Sequence, residues 1–231
     1  MNAIVTGATK GIGRAIALKL AKDGYNVSVC SRNEQELCSF VKELELLGVR
    51  AVGIATDCSN KEEIKKFCEF TVTELGDIDV LVNNVGTFLP AFLIDEEDEV
   101  FEKQMLLNLN AAYYFSKFFG KIMASRQSGH IFNICSIASK QVVENAGSYC
   151  VTKSAMLSLN NVLRQELAQY NVKVTAFLPG STLTASWEGT SLPKEAFVQP
   201  EDIADTLHTI LNLSTGVNVD EVILTPKEIK L

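Results

Sequence analysis

Tyr149 and Lys153 stand four residues apart in Tyr149-Cys150-Val151-Thr152-Lys153. They open a segment whose apolar positions, Ala155, Met156, Leu159, Val162, Leu163 and Leu167, recur with helical spacing. Four residues is just over one helical turn, so the two side chains share a face and can reach each other. A phenol beside an ammonium can give and take a proton near neutral pH, because a nearby positive charge favours the phenolate. The same pair also occurs on plain exposed helix faces, so the rest of the chain must decide between the two readings.

A proton donor of this kind needs a scaffold and a partner reagent, and the N-terminus offers both. The apolar run Asn2–Val5 reads as a short strand and leads into Thr6-Gly7-Ala8-Thr9-Lys10-Gly11-Ile12-Gly13-Arg14. A helix with Ile12, Ile16 and Leu20 on one stripe follows, stopping at Gly24. Strand, glycine loop and helix together aim backbone N–H groups and a helix N-terminus at a pyrophosphate. Thr6, Gly7, Thr9, Lys10, Gly11, Ile12 and Gly13 are therefore candidate cofactor contacts. Their Gly-x-x-x-Gly-x-Gly spacing departs from the usual dinucleotide fingerprint.

A second strand, Asn26–Cys30, ends at Ser31-Arg32. An acidic residue there would hold the adenosine ribose of NAD and repel a 2′-phosphate. The chain instead places Arg32 there and Lys10 in the loop, two cations and no carboxylate, which favours NADP(H); either charge also reads as solvated surface. A helix over 34–47 and a third strand over 50–56 lead to Asp57-Cys58. The Asp57 carboxylate could take the adenine amino group or cap the next helix, which Ser59 or Asn60 opens. A buried fourth strand, Asp79–Val82, runs into Asn83-Asn84-Val85-Gly86. Strands and helices alternating at these lengths predict right-handed βαβ units on a parallel sheet, with ligands at the carboxyl ends of the strands.

The bulk numbers agree with one folded domain over residues 1–231. Apolar residues make up 47% and charged residues 21%, and no repeat, linker or low-complexity run interrupts the chain. A net charge of −7 argues against a nucleic-acid surface or a basic membrane-binding face. The six cysteines (30, 38, 58, 68, 135 and 150) are scattered, and only His130 and His208 could join them, so no metal site is expected. Reduced thiols, no signal-peptide pattern and no membrane-spanning run predict a cytoplasmic protein.

With the glycine loop, the Asn83-Asn84-Val85-Gly86 turn and the Tyr149/Lys153 pair in hand, nearly the whole chain resembles the short-chain dehydrogenase/reductase family. The resemblance implies a Rossmann-like doubly wound sheet of about seven parallel strands flanked by helices. It also implies a dimer or tetramer joined through helices near 101–126 and 148–169, with Tyr113, Phe115, Phe118 and Phe119 of the first, on what reads as its exposed side, split between core and partner. In Met105-Leu106-Leu107-Asn108-Leu109-Asn110-Ala111, the family's helix-distorting asparagine, which holds a water beside the active lysine, matches Asn108, with Asn110 the neighbour it could be confused with. Ser136, thirteen residues before Tyr149, matches the family's serine; Ser139 is its rival. Pro179-Gly180-Ser181-Thr182-Leu183-Thr184 resembles the Pro-Gly turn that holds the nicotinamide amide, so Pro179, Gly180, Thr182 and Thr184 join the cofactor set with Ser31, Arg32, Asp57, Cys58, Asn84, Val85, Gly86, Tyr149 and Lys153. Residues 185–197, with Trp187, are the substrate lid by analogy or simple packing.

The implied activity is NADP(H)-dependent interconversion of a carbonyl and an alcohol, with Tyr149 as general acid/base, Ser136 meeting the developing negative charge, Lys153 on the ribose and Asn108 supporting proton return. Thr87, Phe88, Leu89, Ile137, Val142, Val143 and Trp187 would line a mostly apolar substrate pocket. The alternatives are a 3-oxoacyl thioester reductase of the acyl-carrier-protein type, against which the glycine-poor tail Pro226–Leu231 speaks, and a silent NADP(H)-binding sensor.

Overall fold

The computed structural model describes residues 1–227, and the last four residues of the expected tail lie outside them. Seven strands form one sheet: β1 (Asn2–Thr6), β2 (Asn26–Ser31), β3 (Ala51–Ala55), β4 (Val80–Asn83), β5 (Gly129–Ile134), β6 (Val172–Pro179) and β7 (Glu221–Leu224). Every pairing is parallel, in the order β3-β2-β1-β4-β5-β6-β7. The order reverses between β1 and β4, which opens a crevice at the carboxyl edge of that pair.

Alternation along β1 shows how both faces are covered. Ala3 and Val5 point into a core with Ile16 and Leu20 of α1 (Gly11–Lys22), Phe40 and Leu44 of α2 (Glu34–Glu45), and Leu207 and Ile210 of α7 (Pro200–Leu211). Ile4 points the other way, among Ile64 and Phe67 of α3 (Lys61–Leu75) and Phe115, Phe119 and Met123 of α5 (Ala111–Arg126). Strands buried on both sides need near-continuous apolar runs, which these have. α3 starts where Asn60 accepts from the N–H groups of Glu62 and Glu63, two carboxylates that also suit the positive end of the helix. Asn60, not Asp57, is therefore the cap.

The acidic stretch from Asp95 to Glu102 reads as the opening of a long helix reaching about Arg126, but that helix is not continuous. Asp95–Glu97 stay in the preceding loop, α4 spans Asp98–Met105, and a π-helical turn, Leu106–Asn110, separates it from α5. Nor do all the aromatics there face outwards. Phe115 and Phe119 are fully buried and contribute about 2–3 kcal/mol each by burial, whereas Tyr113 stays exposed. The spacing Phe115/Phe119 follows the buried stripe; Tyr113 and Lys117 follow the outer one. The long helix α6 (Gly147–Leu167) lies beside α5 and carries Tyr149 in its first turn.

Candidate active site

The glycine loop is held by its neighbours across the crevice. The Thr6 hydroxyl donates to the Val82 carbonyl (3.2 Å) and accepts from the N–H groups of Asn84 (2.9 Å) and Val85 (3.1 Å). The Asn84 amide in turn donates to the carbonyls of Thr6 (2.9 Å) and Gly7 (3.0 Å). A Cβ on Gly13 would lie 2.4 Å from Asn84 Nδ2 and 2.5 Å from the Gly7 carbonyl oxygen, so only glycine fits. Gly7 has φ +63°, and its missing Cβ is where Val85 packs, at 3.0 Å. Val85 thus braces the loop.

α1 begins directly after this loop with no acidic residue in its first turn and no side-chain cap. Its unmet N–H groups and positive dipole end face a crevice of about 830 Å³. Gly7, Thr9, Lys10, Gly11, Ile12, Ser31, Arg32, Cys58, Asn84, Val85, Gly86 and Thr184 line it. Three expected contacts line neither this crevice nor the cavity that adjoins it. Thr6 and Gly13 sit beneath the loop, and Asp57 is turned towards Ser59, accepting from its N–H (2.9 Å) and hydroxyl (2.8 Å). The Ser59 N–H, against some burial and helped by the Ser59 hydroxyl and Arg32, holds the Asp57 carboxyl below its usual range.

Four lining residues escaped the sequence reading: Asn33, Glu36, Thr56 and Leu107. Glu36 corrects the expectation of cations without a carboxylate, because its Oε1 lies 2.8 Å from Lys10 Nζ. Arg32 makes no ion pair among the described residues. The Cys58 thiol touches Cys30 (Sγ–Sγ 3.9 Å), and that contact with burial pushes it well above the ordinary thiol range, so it faces the crevice uncharged.

A smaller cavity of about 300 Å³ adjoins the crevice and shares Ile12, Asn84, Gly86, Thr87, Thr184 and Ser186 with it. Tyr149, Lys153, Ser136, Pro179, Gly180 and Thr182 line this second space. Lys153 is only 5% exposed; its ammonium donates to the Ile134 carbonyl at 2.9 Å and stands 5.7 Å from the centre of the Tyr149 ring. Phe88 packs edge-on against that ring, centroids 5.0 Å apart. Ser136 Oγ accepts from the Ala138 N–H (3.1 Å) and faces the cavity. Ser139 is drawn under the turn, where its hydroxyl accepts from the Ser136 N–H (3.4 Å), and it does not line the cavity. Burial pushes the neighbouring Cys135 thiol up to about 12, leaving it neutral.

Asn108 lies at the centre of the π turn and is 1% exposed. Its Oδ1 accepts from the Thr87 N–H (2.7 Å) and its Nδ2 donates to the Thr87 carbonyl and Thr152 Oγ1 (both 3.0 Å). A Cβ on Gly86 would meet Asn108 Oδ1 at 3.1 Å and Lys153 Nζ at 3.5 Å, so these groups converge on the junction of the two cavities. Asn110 makes none of these contacts. Beneath the site, Asn83 donates to Ser116 Oγ and Asn133 Oδ1 (2.8 Å each), and Asn133 donates to Asn160 of α6 (2.9 Å).

The expected substrate wall is present at Thr87, Phe88, Ile137, Val143 and Trp187, but not at Leu89 or Val142. Val142 is 91% exposed because it lies on the outer side of its loop. Trp187 combines both of its readings: it lines the cavity and packs edge-on against Phe197 at 4.9 Å. His130, at the far end of β5, is structural, bonded to Thr175 Oγ1 (2.8 Å) and stacked on Phe132.

A parallel sheet with a glycine-loop crevice at its reversal point defines a Rossmann-type dinucleotide-binding architecture. The family model for short chain dehydrogenases matches residues 1–194, and the chain belongs to that family of oxidoreductases. It is 31% identical over 227 residues to an uncharacterized oxidoreductase of Staphylococcus aureus (strain USA300), covering 97% of this chain and 96% of that protein. The actinorhodin polyketide ketoreductase solved with NADPH superposes with a TM-score of 0.89 at 29% identity, covering 97% and 95% of the two chains. An alcohol dehydrogenase from the archaeon Thermococcus sibiricus, complexed with 5-hydroxy-NADP, gives 0.90 at 28% identity, covering 98% and 96%.

Proposed function

We propose that the protein is an NADP(H)-dependent oxidoreductase that interconverts a ketone or aldehyde with its alcohol, Tyr149 being the general acid/base. The observation that carries this reading is the placement of Tyr149, Lys153 and Ser136 on one cavity that opens into the glycine-loop crevice. The crevice suits a dinucleotide: a glycine cradle that side chains would fill, an uncapped helix N-terminus for the pyrophosphate, and Lys10, Arg32 and Ser31 for a 2′-phosphate. NADPH in one of the similar structures and 5-hydroxy-NADP in another support the same cofactor.

When bound, the reduced nicotinamide supplies a hydride to the carbonyl carbon. Ser136 donates a hydrogen bond to the oxygen as negative charge develops, and Tyr149 transfers its proton to that oxygen. Lys153, anchored by the Ile134 carbonyl, places positive charge beside the phenol and would hold the ribose of a bound cofactor. Asn108 holds Thr87 and the π turn, keeping a polar path beside Lys153 by which Tyr149 recovers its proton. Pro179, Gly180, Thr182 and Thr184 hold the nicotinamide end.

Unpaired cysteines fit a reducing cytoplasm, and among the described residues no helix is long and apolar enough to cross a membrane. The outer faces of α5 and α6, with Tyr113, Val162 and Tyr170 exposed around a groove, are the proposed contact between copies in a dimer or tetramer. A 3-oxoacyl thioester is the second reading of the substrate, favoured by the likeness to a polyketide ketoreductase. Nucleotide titration run beside a carbonyl panel, with NADPH and NADH in parallel, tests the proposal. NADPH oxidation by ketones is expected; tight NADPH binding with no turnover of any carbonyl would make the protein a sensor instead.

A further inference from the structure

The inner cavity contains nothing that could clamp an ionic substrate. Among the described residues its only charged side chain is Lys153, which is already bonded to the Ile134 carbonyl. The remaining wall is Phe88, Ile137, Val143 and Trp187 with small polar groups. Two sides of that wall continue outwards as apolar surface. Beyond Phe88 the chain displays Phe92, Leu93 and Ile94, which are 51%, 55% and 91% exposed; beside Val143 stands Val142, 91% exposed.

These two segments are joined. The Ala91 N–H donates to the Asn145 carbonyl (2.9 Å) and the Gly147 N–H to the Ala91 carbonyl (3.2 Å). Leu93 lies so close over Gly147 that a Cβ there would be 2.7 Å from its own Cβ. Farther along, the Ser148 hydroxyl bonds the Glu96 carboxylate, tying the loop to the first turn of α6. Isoleucine and valine are thus presented to water by two anchored loops, each of which also supplies a residue of the cavity wall, Phe88 and Val143. Next to them come the exposed Asp95, Glu97, Asp98 and Glu99, while residues 86–102 contain no Lys or Arg. Lys140, on the facing loop, is engaged by Glu221.

We infer that this site takes carbonyl compounds with an elongated, uncharged apolar body: the carbonyl end enters the cavity and the body lies on the shelf formed by Phe92, Leu93, Ile94 and Val142. This rests on the proposed role of Tyr149. The acidic rim repels carboxylates and phosphates, so it also weighs against thioesters carried on a phosphorylated arm.

The test is kcat/KM with NADPH for 2-butanone, 2-hexanone, 2-octanone and the terminally charged 7-oxooctanoate. Each methylene moved from water onto apolar surface is worth up to about fourfold in binding, so half-covered chains give a rise of about tenfold from 2-butanone to 2-octanone. The charged analogue is expected to be about tenfold poorer than 2-octanone, with the gap narrowing at about 0.5 M salt. Replacing Ile94→Ser and Val142→Ser together should cut the 2-octanone to 2-butanone ratio about fivefold, with the solution mass unchanged. A flat chain-length profile, or an unchanged ratio in the double variant, overturns the inference while leaving carbonyl reduction standing. A drop in oligomer mass with the ratio intact assigns the shelf to a second copy and also overturns it. No turnover of any ketone defeats the proposed activity itself.

Discussion

The two halves of the site are built on opposite principles. On the β1–β2 side the crevice is made by what is missing: Gly7, Gly11 and Gly13 leave room, the uncapped N-terminus of α1 faces it, and one threonine and one asparagine pin the loop. On the β4–β6 side the cavity is made by buried polar side chains with partners: Asn83, Asn133 and Asn160 bonded in a chain below, Asn108 bonded to Thr152 above, and Lys153 bonded to the Ile134 carbonyl. The first design fails by steric intrusion. The second fails by leaving a partner unsatisfied, because a buried amide without a hydrogen bond keeps its full desolvation cost. A substitution in one half should therefore damage binding, and in the other half stability and turnover.

The sharpest way to break that contrast is Gly13→Ala. Its Cβ has no room against Asn84 and the Gly7 carbonyl, so the loop must move; we expect nucleotide affinity to fall by about 100-fold and stability by about 2–3 kcal/mol. Titration calorimetry and urea unfolding check both. Asn133→Ala comes next. It strips partners from Asn83 and Asn160, and should cost about 2–4 kcal/mol with lowered kcat but nearly normal nucleotide affinity. Equal loss of binding and turnover in both variants would erase the distinction.

This contrast also explains what the sequence could reveal. Glycine loops and a Tyr/Lys pair one helical turn apart are local patterns, so the parallel sheet, the crevice at its carboxyl edge and the closeness of Tyr149 to Lys153 were legible. A distortion at Asn108 was implied by the family resemblance alone; the residue pattern did not show it, because Met105–Ala111 continues an ordinary helical pattern and the π turn is accompanied by Asn108 bonding Thr87, 21 residues away. Glu36 was invisible as a crevice residue for a similar reason: it reaches Lys10 across the gap between α2 and the loop. That the aromatics at 113–119 would be divided was expected, but which of them enter the core was not legible, because the run covers both sides of its helix and only packing separates them.

A smaller effect sharpens the polar half. Burial first, then the nearby Lys173 charge, lowers the His130 pKa from 6.5 to about 3. The unfolded chain therefore binds more protons below pH 6.5, so this contribution is complete above that pH and is lost as pH falls towards 3. Between pH 7 and 5 the wild type should lose about 1–2 kcal/mol that His130→Gln does not, measured by urea unfolding at each pH. An identical slope in both would remove His130 from the account. Smallest of all, Glu36→Gln frees Lys10 and should raise the NADPH-to-NADH affinity ratio by about three- to fivefold, read by parallel titrations. No change would mean that Glu36 does not oppose the 2′-phosphate.

The most direct measurement is kcat and the NADPH dissociation constant, side by side, for Tyr149→Phe. Removing one hydroxyl from a cavity outside the main crevice should lower kcat by at least about 100-fold while NADPH binds within about twofold of wild type. Full turnover in that variant would contradict the assignment of Tyr149 as the proton donor.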